Sequence, residues 1–209
     1  MAKFIVLDGG DGSGTTTQQG LLNNHLNSKG LIVYSTRNPS RGKYGRQLRR
    51  YLSNHVLKEN DGIAYQRAMF GLFLADRRDM QNREIKYYLA KDIEVTCDRW
   101  SYSTMVYQSL ESSISFEEIL RAHEQDEILI PDLSLIFVGD PEILIKRALN
   151  RNRGFDTFET LEFQRMVDKG YRGLGDRLKD HNIIYINAES PIEEVALQVK
   201  TEVDRFYSQ

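Results

Sequence analysis

The stretch Phe4-Ile5-Val6-Leu7-Asp8-Gly9-Gly10-Asp11-Gly12-Ser13-Gly14-Thr15-Thr16-Thr17-Gln18 decides the fold. Four consecutive apolar residues read as a buried strand, and the chain behind them becomes polar and rich in glycine. Gly9, Gly10, Gly12 and Gly14 permit backbone angles that other residues resist, so successive amides can turn inward. Followed by a helix, such a turn makes an anion cradle, because the first amides of the helix also point at the ligand. The spacing matches the phosphate-loop pattern G-x-x-x-x-G-K-[ST] at Gly9, Gly14 and Thr16. Thr15 stands where the lysine belongs, and Thr16 keeps the hydroxyl that would reach a magnesium ion. Gly9, Gly10, Gly12, Ser13, Gly14, Thr15, Thr16 and Thr17 are therefore the expected residues for binding a cofactor's phosphates.

Working outward, four more short apolar runs read as strands: 31–34, 93–97, 133–138 and 183–186. Helical patterns separate them. Asp140 before Pro141 marks one helix start, and Ser115 with Glu118 and Ser190 with Glu193 fit capping boxes. Five strands alternating with helices predict an α/β fold: a P-loop NTPase-type, three-layer arrangement, with a five-stranded parallel sheet covered by helices on both faces. Ligands of such sheets sit beyond the carboxyl ends of the strands, which directs attention to residues 8–16, 37–42 and 98–103.

The 209 residues fit one domain, 1–209, with no linker or repeat. A net charge of −2 and a pI near 6.1 exclude the basic excess of a nucleic-acid binder. No apolar run approaches a membrane span, and the single cysteine, Cys97, lies in a strand-like run suited to inert packing in a reducing, cytoplasmic setting. His25, His55, His123 and His181 show no metal-ligand spacing and receive no role.

Further motifs recur in order. Thr36-Arg37-Asn38-Pro39, Leu72-Phe73-Leu74-Ala75-Asp76-Arg77, Asp98-Arg99-Trp100, then Ser103, Tyr107-Gln108 and Pro131-Asp132-Leu133 complete the set begun by the glycine loop. Together they resemble the thymidylate kinase family over nearly the whole chain. The resemblance implies transfer of a phosphoryl group from ATP, with Mg²⁺, to deoxythymidine monophosphate (dTMP), in a homodimer. It implies that Phe73 stacks on the base and Arg77 bonds its carbonyl; by themselves these two residues, four apart, read as a core phenylalanine beside a surface arginine. It places Arg37 and Arg99 on the acceptor phosphate, Asp11 on the sugar hydroxyl as a catalytic group, and Asp98 with Thr16 at the metal. Ser103 and Gln108 join the substrate site, and Tyr107 crowds the ribose 2′ position. Asp8 is read as a supporting or turn residue.

Lys146 to Glu159 carries Arg147, Arg151 and Arg153 ahead of Gly154, which predicts a lid around 147–157. Arg151 and Arg153 are expected to be catalytic and to replace the charge that Thr15 lacks. Thr157 stands where the family has a second cation. Val106 and Trp100 also depart from the family's alanine and tyrosine. Two other readings follow from these departures: a nucleotide binder without catalysis, and a kinase for another nucleoside monophosphate.

Overall fold

The computed structural model describes residues 1–53, 62–111, 114–149 and 161–208. Its strands are β1 (Phe4–Gly9), β2 (Val33–Arg37), β3 (Glu94–Asp98), β4 (Leu133–Val138) and β5 (Ile183–Asn187). They form one sheet in the order β2-β3-β1-β4-β5, and every neighbouring pair is parallel. The expected α/β architecture is present.

Strand side chains alternate between two cores, which explains the uninterrupted apolar runs. Phe4, Val6, Val95, Cys97, Ile136 and Val138 enter one core. Ile5, Leu7, Leu133, Leu135, Phe137 and Ile186 enter the other. The first is covered by α3 (Ile63–Met80), α5 (Ser101–Glu111), α6 (Phe116–Gln125) and α8 (Leu161–Arg172). The second is covered by α1 (Thr15–Ser28), α7 (Pro141–Leu149) and α10 (Ile192–Tyr207). Helices α2 (Lys43–Ser53), α4 (Lys86–Leu89) and α9 (Leu174–Arg177) complete the described set, and a π-helical turn at Gln81–Ile85 joins α3 to α4.

Two strand starts lie later than the apolar runs suggest. Leu31 closes α1 instead: Gly30 sits at φ 83°, with Gly30 N bonded to Asn27 O and Leu31 N to Leu26 O, and Ile32 O then accepts from Glu94 N ahead of β2. Asp92 at φ 57° and Ile93, bonded to Tyr88 O, do the same for α4. Ser115 caps α6 as expected, with Glu118 N donating to Ser115 Oγ. The box at Ser190 does not form: α10 begins one residue later, behind Pro191, with no side-chain cap. No helix among the described residues is long and apolar enough to cross a membrane.

Candidate active site

The carboxyl ends of β1, β2 and β3 converge on the glycine loop. Gly12 and Gly14 take φ of 80° and 87°, which opens the cradle before α1. Ser13 donates to Gly10 O through both its amide (3.3 Å) and its hydroxyl (2.6 Å), tightening the turn. Gly12 lies directly against α7, where an added Cβ would stand 2.0 Å from Leu144 O. Thr15 begins α1 with its side chain buried, at 5% exposure, so no charge stands at the usual lysine position. Thr16 is exposed and donates from Oγ1 to Asp98 Oδ2 at 2.5 Å. The other oxygen of Asp98 is buried without a partner among the described residues. A hydroxyl and a carboxylate with an unused lone-pair face are hard oxygen donors, so the pair fits Mg²⁺. Arg37, half exposed, brings a guanidinium nitrogen 3.9 Å from Asp98 Oδ2.

Arg99 ties the loop to β3. It sits at φ 69°, a left-handed conformation uncommon for an arginine and of the kind that gathers at functional sites. That bend sends Nη1 to Gly9 O (2.9 Å) and toward Ser103 Oγ (3.4 Å), and Nη2 to Asp11 Oδ1 (2.5 Å). Burial is the largest single influence and works against its charge, but the Asp11 carboxylate, together with Asp8 and the neighbouring tyrosines, raises its pKa overall and keeps the guanidinium protonated.

Beneath this pair lies Asp8, fully buried. It accepts from Gly9 N, Trp100 N, Ser103 N, Ser103 Oγ and the Tyr171 hydroxyl at 2.6–3.1 Å. Burial pushes its carboxyl up, while Arg99 and these donors pull it back. Asp8 thus pins the loop, the start of α5 and α8 to one another, a larger part than its sequence position suggests. Tyr171 carries no sequence signal of this role, since an aromatic on an amphipathic helix reads as ordinary core.

The acceptor-side residues lie on α3 and α5. Phe73 is half-buried and Arg77 is fully buried, so the reading of a surface arginine does not hold. Arg77 Nη1 meets His123 Nε2 at 2.7 Å. Its Nη2 donates to Asn38 Oδ1 (3.3 Å), Trp100 O (3.0 Å) and Thr104 Oγ1 (2.9 Å). Nε has no partner among the described residues. Asp76 holds the loop after β2 through Asn38 Nδ2, Ser40 N and Ser40 Oγ. Tyr107 and Gln108 are half-buried on α5, and the Tyr107 ring packs near those of Tyr171 and Phe163, with centroids 6.4 and 6.2 Å away.

On the far side of the loop, a cleft of about 380 Å³ is lined by Gly12, Gly14, Thr17, Arg147, Ala188 and Ile192, among others. Arg147 belongs to α7, and the rest of the expected lid from residue 150 on lies outside the described residues. Its guanidinium donates to the carbonyls of Ala188, Glu189 and Ser190. Arg151 and Arg153 lie outside the described residues.

A family model described as thymidylate kinase matches residues 7–199. The chain belongs to the thymidylate kinase family. The thymidylate kinase of Caldicellulosiruptor saccharolyticus is 32% identical over 209 residues, covering 97% of this chain and 96% of that protein. That of Jannaschia sp. is 33% identical over 202 residues, covering 96% and 95%. The probable thymidylate kinase of Pyrococcus abyssi is 31% identical over 192 residues, covering 92% and 91%. In this member of the thymidylate kinase family, the glycine loop, the Thr16–Asp98 pair and the Asp11–Arg99 pair occupy one end of the sheet.

Proposed function

We infer that this protein transfers the γ-phosphoryl group of ATP to dTMP, giving dTDP and ADP for nucleotide biosynthesis. The observation that carries this reading is the meeting of Thr16–Asp98 and Asp11–Arg99 at the glycine loop, in a chain of this family. All 209 residues form one kinase domain, working as a cytoplasmic homodimer.

The loop amides and the start of α1 hold the donor phosphates, and the cleft beside Arg147 takes the donor base. Thr16 and Asp98 would hold Mg²⁺, which would supply charge neutralisation for the phosphates. Arg99 and Arg37 engage the acceptor phosphate; a guanidinium that now pairs with a carboxylate suits a phosphate equally. Asp11, released from Arg99, accepts from the acceptor's sugar hydroxyl. Phe73 stacks on the base, the free Nε–H of Arg77 donates to a base carbonyl, and Tyr107, Gln108 and Ser103 bound the remaining pocket. An acceptor phosphate oxygen attacks the γ-phosphorus in line as the bond to ADP breaks, with no covalent enzyme intermediate.

Thr15 favours one second reading, a nucleotide binder without transfer, because one missing transition-state donor costs about 3–4 kcal/mol. In the active reading, Arg151 or Arg153 supplies the charge. An ADP-release assay with ATP, Mg²⁺ and each monophosphate in turn separates the two. dTMP is expected to be the best acceptor, and Arg153→Ala or Arg151→Ala to lower turnover far more than ATP affinity. Thr15→Lys is expected to restore part of the rate in the crippled variant. Nucleotide binding without ADP release from any acceptor would establish the second reading.

A further inference from the structure

Arg77 is a fully buried cation whose hydrogen-bond partners are all neutral. Burial lowers its pKa to about 10, so it stays charged at neutral pH. The guanidinium plane is held on two arms. Nη2 reaches three acceptors from three segments, and Nη1 meets His123 alone among the described residues.

The ring of His123 is 4% exposed, and both of its nitrogens are engaged. Nδ1 lies 2.7 Å from Ile119 O, which can only accept, so Nδ1 carries the proton. Nε2, 2.7 Å from Arg77 Nη1, therefore presents its lone pair to an N–H of the guanidinium. A second proton on the ring would set two cations face to face without water between them. The remaining edge of the guanidinium, Nε–H, is buried and unpartnered among the described residues. A buried donor of this kind is costly, and it is accounted for when a ligand brings the acceptor.

We propose that His123 is a positioning residue for acceptor recognition, a neutral Nδ1-protonated ring that fixes Arg77 so that its Nε–H faces the base. This rests on the reading that Arg77 meets the base of dTMP. Glutamine can copy both bonds of the ring, one donor and one acceptor, whereas leucine keeps comparable bulk and supplies neither.

The test compares wild type, His123→Leu, His123→Gln and Arg77→Met in steady-state kinetics, with melting curves to follow the fold. His123→Leu is expected to raise the KM for dTMP by roughly tenfold or more, the scale of one unsatisfied buried donor. The KM for ATP should be unchanged, and His123→Gln should recover most of the loss. An unchanged KM for dTMP in a folded His123→Leu, beside a raised one in Arg77→Met, overturns the inference and leaves the base reading intact. An unchanged KM in Arg77→Met overturns both. Histidine ¹⁵N spectra of the wild type at pH 7 give a check that needs no variant: a proton on Nδ1 and none on Nε2 supports the assignment, and the opposite tautomer or an imidazolium sinks it.

Discussion

At the scale of single residues, polar side chains carry structural duties beyond the reach of spacing arguments. Asp8 accepts five hydrogen bonds in the dark beneath the glycine loop. His123 holds Arg77 through Nη1, and this has a consequence for stability. Burial, followed by the Arg77 charge, depresses the His123 pKa from 6.5 to about 3. The unfolded chain therefore binds a proton between about pH 6.5 and pH 3 that the folded protein refuses, so stability rises with pH across that window. The contribution is complete above the unfolded value and is lost as pH falls toward the folded one. Going from pH 7.5 to pH 5, this one group should cost about 2 kcal/mol. Urea unfolding at both pH values checks it: the wild-type difference should exceed that of His123→Gln by this amount. Equal differences would show that His123 titrates normally.

At the scale of elements, the glycine loop is shaped by what packs behind it. Gly12 and Gly14 share a left-handed backbone, yet they differ in surroundings. A Cβ at Gly14 meets nothing within 4 Å, whereas one at Gly12 meets the backbone of α7 at 2.0 Å. Gly14→Ala should therefore cost only the backbone strain, about 1–2 kcal/mol. Gly12→Ala should add the overpacking, about 1–3 kcal/mol more, and should push the loop off its cradle shape. Denaturant midpoints and ATP titrations of the two variants measure this, with ATP binding lost mainly at Gly12. Similar losses at both positions would mean that the contact with α7 has little importance. The glycines themselves were plain in the sequence. Which of them is clamped was not, because α7 lies about 130 residues away in the chain.

At the scale of the whole molecule, the site is a junction between strands. Arg99 leaves the end of β3 and bonds the loop after β1, while Arg37 approaches from the end of β2. If Arg99 were only an ion pair, its loss would appear in stability, and a partly exposed pair contributes about 0–1 kcal/mol. Side-chain exposures of 23% and 40% for Arg99 and Asp11 place the pair in that class. As an acceptor-phosphate ligand it should matter far more for rate. Arg99→Ala should lower turnover on the order of a hundredfold or more with a near-normal melting temperature. Arg99→Lys should recover a part, because a point charge does not copy a planar fork. Near-wild-type turnover in Arg99→Ala would return the residue to a structural role.

Much of this was legible in the order of residues alone. Short apolar runs, glycines after the first run and helix-start residues depend on neighbours within a few positions, and they sufficed for five parallel strands and for an anion cradle beside Thr16. Local order also located Arg37, Phe73, Arg77, Asp98 and Arg99 at strand ends or on one helix face. It misjudged the strand starts at 31 and 93, where helix-closing turns claim the first apolar residues. It also misjudged Ser190, since a start shifted by one residue abolishes a cap. Tertiary structure alone decided that Arg77 is buried rather than at the surface, that Asp8 anchors the loop, that His123 meets Arg77 and that Tyr171 meets Asp8. Those facts rest on contacts between residues 46 and 163 positions apart. A hydrogen bond across such a separation is set by how the sheet brings its strand ends and covering helices together, and no local pattern encodes it.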